Sequence, residues 1–541
     1  MSSATAKPVR DRSRPHRRLL GLGTVIWLLF AIVNPAAAQR TTPAEAARFL
    51  NHASFGPTQE SIAEVVRRGY EGYLNDQFDL PWVATASLPD MPYRVPSDCK
   101  DICWRDNYSI YPLQLRFYRN ALQGQDQLRQ RVAFALSQIF VVSGRDSDLW
   151  MPTSLLPYIE MLEQNAFGKY RDLIEAVTLS PAMGRYLDMA GNRSGAPNEN
   201  YARELLQLFS VGLYELTPGG KVRTLKGKPK PTYNQNTITE FARAFTGWDL
   251  GEEIGPETEN FKSPMVLVAN GKYHDIYDKH LLRGFTAPQN QFPADDLKAA
   301  LDNVASHPNV APFISFRMIQ RLVTANPSPA YVARVAAVFR KSQGDLRRVV
   351  KAILLDREAL RPPGKNAGHL REPVLWLTHL LRAFDTGPAT TDFVLGETYL
   401  SSNLRMGQDV YRSPTVFNYF PPDFKVPGEK LYGPEFALYQ STDVVNRANM
   451  AYALIYHKLE PWGHYRPTGT WLNLEPLEPL ADDPKALAEE LNLRMLNGAM
   501  MPATRTLLEN TIAQISRQDR AERVRYAVYS LAVSPEYLIE R

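Results

Sequence analysis

Apolar residues recur every three to four positions along most of this chain, and strict two-residue alternation is scarce. In S-I-A-E-V-V-R-R (61–68) the apolar positions share one helical face; Pro57-Thr58 opens the run and Gly69 closes it. Q-L-R-Q-R-V-A-F-A-L-S-Q-I-F-V-V (127–142) is apolar around much of its circumference and predicts a long, buried central helix. The same period predicts helices over about 153–165, 169–180, 198–213, 237–247, 294–306, 308–324, 328–341, 344–356, 371–384, 442–457, 502–517 and 520–533. One or two short β-hairpins are expected, within 221–236 and 261–285. The fold class is therefore mainly α.

A helix followed by a polar stop and a second short turn recurs at 172–183, 345–360 and 523–538. The copies are unevenly spaced, so they read as similar units around one core rather than as a solenoid. Long loops rich in polar residues, Pro and Gly cover 214–236, 248–292, 402–436 and 458–484. None resembles a linker between independent domains, so 39–541 is expected to form a single large helical domain with elaborated loops.

The first 38 residues change the charge reading. Arg10, Arg12, Arg14, Arg17 and Arg18 precede an apolar stretch from Leu19 to Val33, and Ala36-Ala37-Ala38 supplies small residues for cleavage. That stretch is short of the ~20 residues that span a bilayer, so 1–38 is expected to be an export signal and the mature chain to lack a transmembrane segment. The Arg17-Arg18 pair leaves ordinary and twin-arginine secretion both open. The whole chain carries 62 Lys+Arg against 57 Asp+Glu. Removing 1–38 takes six of the former and one of the latter, leaving 56 of each and a net charge of zero. No global charge favours nucleic acid. The expected location is periplasmic or extracellular. There, Cys99 and Cys103, the only cysteines, are expected to form a disulfide; two thiolates are too few for a closed zinc site.

The densest polar cluster is N-E-N-Y-A-R-E (198–204) at a helix start. Asn200, Arg203, Glu204 and Gln207 share one face, with Tyr201, Leu205, Leu208 and Phe209 on the other. This segment, with F-L-N-H-A-S-F-G-P-T (49–58), Q-L-R-Q-R-V-A-F-A-L-S-Q-I-F (127–140), E-F-A-R-A-F-T-G-W (240–248), H-P-N-V-A-P-F-I (307–314), M-G-Q-D-V-Y-R-S-P-T-V-F-N-Y-F-P-P-D-F (406–424) and S-P-E-Y-L-I (534–539), resembles a bacterial family known as domain of unknown function 1800. The resemblance spans nearly the whole mature chain. It implies an exported bacterial protein, often encoded beside a co-exported partner, and it transfers no catalytic residue. One departure is His52, where many relatives carry an arginine.

Two carboxylates divide acid and base work when their environments separate their pKa values. Glu199 and Glu204 are the catalytic candidates, with Asn200 and Arg203 positioning substrate. Five residues apart on a helix, however, the two diverge by more than a right angle, so each needs a partner elsewhere. The plainer reading is a cap from Asn198 and an i,i+4 pair of Glu199 with Arg203. Y-H-D-I-Y-D-K-H (273–280) offers His274 and Asp275 to a substrate. With Asp278 and His280 it also holds metal-ligating residue types, at a spacing that fits no metal motif. Its plainer reading has Asp275 capping a turn and Lys279 pairing with a carboxylate. Arg412 and Asn418, in the aromatic segment 411–424, suit orientation of a polar ligand or plain packing over helices. Trp462, His464, Tyr465, Arg466 and Trp471 resemble a stacking surface or a core-covering flap.

No metal site and no cofactor are nominated. Two functional classes remain open: a hydrolase acting on an extended polar substrate such as a polysaccharide, and a non-catalytic envelope binding or assembly factor for a co-exported protein partner. Convergence of 198–204, 274–279 and 412–418 on one cleft discriminates them, because without it the hydrolase reading loses its basis. The export reading has its own test. Mass spectrometry of the envelope fraction is expected to find a mature N terminus at or near Gln39, and full-length chain retained in the cytoplasm overturns it.

Overall fold

Proline and short polar caps mark where the helices begin. Proline stands in the first turn of Pro43–Ala53, Pro152–Gln164, Pro293–Ala305, Pro329–Lys341, Pro373–Ala383, Pro484–Leu496 and Pro502–Gln514, where its missing N–H costs nothing. Thr42 and Glu45 close a reciprocal capping box at the first of these. The computed structural model describes residues 41–540 except 85–87, 363, 365–367, 387–394, 396–399, 401 and 460–468. The expected export signal lies outside the described residues, as do Trp462, His464, Tyr465 and Arg466. The described residues pack as one unit, mainly α, and no described helix is long and apolar enough to cross a membrane.

Gly69, at φ 71°, breaks the helical geometry inside Gln59–Asp79, and the chain resumes its helix beyond the kink. The helix expected over 127–142 stops at Ser137. Ser137 Oγ bonds back to Phe134 O at 2.8 Å, and Tyr158 Oη supplies the Phe140 carbonyl with a donor at 2.6 Å. Tertiary donors thus replace the helical bonds, and Ile139–Val142 remain buried as irregular chain. Each of the three recurrent segments forms a helix followed by a helical turn: Tyr170–Thr178 with Pro181–Tyr186, Leu346–Leu354 with Arg357–Leu360, and Arg520–Ala532 with Pro535–Leu538. One hairpin, Thr224–Leu225 with Lys228–Pro229, falls where alternation placed it. Further two-stranded pairs begin earlier than expected, at Trp248, because Gly251–Gly255 and Thr258–Asn260 pair without burying a face that alternation could reveal.

Two apolar clusters fill the interior. One gathers the helices from Pro43–Ala53 to Leu346–Leu354, and the other gathers Tyr111–Gln123 with Pro373–Ala383 and the elements after it. Helix Gln127–Ser137 serves both, with Leu128 and Val132 in the first and Phe134 in the second. The chain after Pro43–Ala53 meets Pro373–Ala383 at Gly56, where a Cβ would sit 2.7 Å from His379 Cα, and Arg382 Nε donates to Gly56 O at 2.6 Å.

A layer of buried charge joins elements of the two clusters. His369–Leu370 pairs antiparallel with Ile539–Glu540, setting His369 opposite Glu540. His369 Nε2 lies 3.2 Å from Glu540 Oε2, and Nδ1 lies 3.8 Å from Glu435 Oε1. Arg371 Nε stands 3.8 Å from the same Glu540 oxygen and donates through its NH1 to Tyr537 O at 3.1 Å. Glu372 accepts from Gln138 at 2.9 Å and from Gln408 at 2.5 Å, and Arg131 donates to Arg321 O at 2.7 Å. Burial works against the His369 imidazolium, yet Glu540 and Glu435 push it up to about 10; the same pairing holds Glu540, despite its own burial, well below the usual carboxylate range.

The sign of the pH dependence follows. The folded state keeps a His369 proton that the unfolded chain releases above its ordinary 6.5, so this contribution is complete below 6.5 and is lost as pH rises toward about 10. The Glu540 contribution is present above the ordinary carboxylate value and is lost as pH falls below it. Urea unfolding midpoints are therefore expected to decline between pH 7 and 10. His369→Gln should flatten that slope and cost about 3–5 kcal/mol by leaving Glu540 uncompensated; an unchanged midpoint and slope in the variant would show that the pair does not stabilise the fold.

Candidate functional site

Helix Asn200–Glu204 runs straight into a π-helical turn, Leu205–Ser210. Ser210 Oγ donates to Leu205 O at 2.5 Å, Tyr170 Oη donates to Phe209 O at 2.8 Å, and the Tyr201 and Thr178 hydroxyls bond at 2.5 Å. Tyr201, Leu205 and Phe209 are buried, as the helical period predicts, whereas the widened turn is invisible to it. Such π-turns cost regular hydrogen bonding and recur at functional positions.

Around this turn the polar residues divide. Asn198 Oδ1 accepts from Asn200 N at 2.9 Å, and Asn200 Nδ2 donates to Asp188 Oδ2 at 2.6 Å. Glu199 accepts from Thr239 Oγ1 at 2.7 Å, Gln235 Nε2 at 2.6 Å and Arg203 at 2.9 Å. These partners, Thr239 foremost, lower its pKa against the opposing effect of burial. Glu199 is thus an ionised acceptor that fastens Asn200–Glu204 to helix Gln235–Ala244. Glu204 faces other neighbours. It is half-buried, its Oε2 has no hydrogen-bond partner, and burial raises its pKa against the opposing charge of Arg203. Tyr186 and Tyr233 lie within its field, and each phenol is pushed up to about 12, first by burial. Asp146 acts on Tyr186 as well, so the charges of two carboxylates bear on one phenol. Tyr186, Tyr233 and Asp146 escape sequence reasoning because they come from three separate segments.

Asp275 docks from a loop onto the same helix, Gln235–Ala244, and the neighbouring His274 meets Thr246 just beyond its end. Asp275 forms a two-bond pair with Arg243, both at 3.0 Å, and accepts from Tyr277 N at 3.0 Å. His274 Nε2 lies 2.8 Å from Asp296 Oδ2, and Lys279 Nζ donates to that oxygen at 2.6 Å, all three side chains being buried. The plainer expectation holds in both particulars: Asp275 caps a turn and Lys279 pairs with a carboxylate. Asp278 and His280 are exposed, 3.6 Å apart, and do not join His274. Among the described residues no group of three or more His, Cys, Asp or Glu is placed to hold a metal ion.

Arg412 and Asn418 belong to a third location. Arg412 donates to Gly144 O at 3.2 Å and pairs with Asp409 at 3.2 Å, while Tyr411 packs against both apolar clusters. Asn418 lines a small interior cavity of about 20 Å³ beside Gln138 and Ser413. Segments 198–204 and 274–279 thus both meet helix Gln235–Ala244, but of the three only 412–418, through Ser413 and Asn418, lines one of the main cavities, and none of these cavities is shared between the segments. Trp471, from the loop expected to form a stacking surface, lies under Lys458, whose Nζ is 4.2 Å from the ring centroid.

A larger cleft takes in Arg185, which precedes Tyr186 in the chain. Arg185 and the loop Ser147–Met151 line a cavity of about 450 Å³ together with Tyr93, Glu253, Glu259, Phe261 and Lys262. Cys99 and Cys103 are bonded, and Cys99 forms a small cluster with Tyr108 and Met151 on which Met91 and Trp150 pack. The disulfide loop thus braces one wall. Lys262 pairs with Asp90 at 2.7 Å, and Arg185 pairs with Glu259. Aromatic surface beside fixed polar groups, in a cavity of this volume, is the composition of a ligand pocket.

No curated protein and no solved structure matches the chain. A family model described as "Protein of unknown function (DUF1800)" matches residues 48–539. The match takes in nearly all of both apolar clusters, the helix carrying Glu204 and every residue lining the cleft, and the chain belongs to the DUF1800 family.

Proposed function

We propose that the protein engages an extended polar ligand, such as a polysaccharide, in the cleft between Tyr93, Trp150 and Arg185. The observation that carries this reading is the 450 Å³ cavity, in which aromatic rings stand beside carboxylates and basic groups already held by ion pairs. Rings of this kind stack on the apolar faces of sugar rings, while fixed polar groups meet the hydroxyls. Lack of convergence among the three candidate segments favours binding over chemistry, in keeping with an exported envelope factor. A protein partner would find a different surface, where Ile276, Tyr277, Phe285 and Phe292 are exposed and Asn290 N ties the loops through Ile276 O at 2.6 Å.

Hydrolysis is the second reading; the three sequence segments no longer support it, and it rests on Glu204 alone. A half-buried carboxyl whose pKa is raised by burial, with an unpartnered oxygen, holds a proton more readily than an exposed one, as a general acid must. Asp146, whose charge also acts on Tyr186, is the partner carboxylate this reading requires, and it directly precedes the cleft-lining Ser147 in the chain. In that mechanism Glu199 and Arg203 position the helix, and Glu204 touches the substrate.

Titration calorimetry of the mature protein against soluble polysaccharides is expected to find a saturable ligand, with Tyr93→Ala weakening it about tenfold, or ~1.4 kcal/mol. Binding unaffected by Tyr93→Ala, or no binding by any glycan, overturns the cleft assignment. Reducing-end release from the bound glycan then separates the two readings. Glu204→Gln should lower any turnover by about 100–10,000-fold while leaving the melting temperature unmoved or slightly raised, since it removes a poorly solvated charge. Glu199→Gln should instead cost about 1–3 kcal/mol of stability through weakened charge-assisted bonds. Turnover unaltered by Glu204→Gln removes that residue from the chemistry.

A further inference from the structure

A second cavity, of about 270 Å³, opens beside helix Pro43–Ala53 and shares no lining residue with the cleft. His52, in the last turn of that helix, forms part of its wall. The side chain is only 5% exposed and has no hydrogen-bond partner among the described residues. Burial first of all, then the nearby positive charges of His369, Arg131 and Arg48 against an opposing Glu540, bring its pKa down to about 4. The ring is therefore neutral at physiological pH, with one N–H to donate and one nitrogen to accept.

The other polar groups around the cavity fall into two sets. Thr324 and Asn326 are committed to the protein. Thr324 Oγ1 exchanges bonds with Gly368 O and N, both at 3.1 Å, and Asn326 bridges to the Tyr432 backbone at 2.7 and 2.8 Å. Glu358 is taken up by Arg334 at 2.9 Å and Ser328 at 2.7 Å. Arg48 and Arg361 are not committed in this way. Arg48 makes a single side-chain bond, to Leu360 O at 3.1 Å, and neither guanidinium forms an ion pair among the described residues. The lining thus presents two unpaired guanidinium groups and one buried, unpartnered imidazole, with its only carboxylate already neutralised.

We propose that this cavity binds a small oxyanion, the phosphate or carboxylate group of a soluble molecule, between the Arg48 and Arg361 guanidinium groups and the His52 ring. Guanidinium groups meet carboxylate and phosphate oxygens through paired N–H donors. The neutral imidazole contributes a further donor without a competing charge. A cavity of this volume suits a ligand smaller than those that fill ordinary drug-sized pockets.

Titration calorimetry with inorganic phosphate and, separately, with citrate tests the site on the mature protein. Saturable binding of at least one anion at a single site is expected, and the anion that binds identifies the group recognised. Arg48→Gln should weaken that binding at least tenfold, and Arg361→Gln several-fold. Arg361 is exposed, so its variant keeps the fold and decides the matter even if Arg48→Gln is destabilised. Failure of both anions to bind, or wild-type affinity in the Arg361→Gln protein, overturns the proposal. Because the cleft and this cavity share no residue, Tyr93→Ala should leave anion binding unchanged, which separates failure here from failure of the ligand assignment above.

Discussion

Buried charge between two apolar clusters is the constraint on which the fold turns. An ionised side chain deprived of water is tolerated only where opposite charge and hydrogen bonds replace the lost solvation. Here that requirement ties together parts of the chain that are distant in sequence. Glu540, at the end of the described chain, answers His369 and Arg371. Glu372, ahead of helix Pro373–Ala383, takes amide donors from Gln138 and Gln408. Apolar packing tolerates small slips between surfaces, but a buried carboxylate whose partner moves away loses its compensation outright. The layer therefore does more to fix how the two clusters meet than to add net stability, since much of its attraction is offset by desolvation.

Helix Gln235–Ala244 plays a comparable part nearer the surface. Gln235 and Thr239, four residues apart on one face, hold Glu199; Glu240 and Arg243 lie further along, and Arg243 holds Asp275. One helix thus sets the places of two polar segments that read as active-site candidates in the sequence, and it does so by satisfying their charges. The residue left out of this accounting is Glu204, at the junction with the π-turn. Its unpaired oxygen and raised pKa mark a local cost that the rest of the segment avoids. An irregular turn and poor solvation meeting at one carboxyl form the combination expected where structure has been subordinated to ligand or chemistry.

The helices were legible because their burial has a period. Leu346, Val349, Val350, Ile353 and Leu354 are all buried on one face of Leu346–Leu354, and that spacing is visible in the residue order alone. So were the three helix-and-turn units, the cap at Asn198, the pair between Glu199 and Arg203, and the bridge between two cysteines four residues apart. Each is local, settled by neighbours within a helical turn or two. The family resemblance, read from motifs scattered over the whole chain, matches the model over residues 48–539. What the residue order could not supply was any relation between segments. It missed helix Pro43–Ala53 and helix Pro484–Leu496, overran the end of Gln127–Ser137, and gave no sign that Leu205–Ser210 would widen. Those outcomes depend on tertiary donors such as Tyr158 and Tyr170, which accommodate departures from the regular helical pattern. The same limit applied to the sites. Sequence singled out the polar residues, but only the packed chain decided which charges were spent on one another, as with Asp275, and which stood unpaired beside a cavity, as with Arg48 and Arg361, because pairing between separate segments is set by three-dimensional proximity and leaves no period in the sequence.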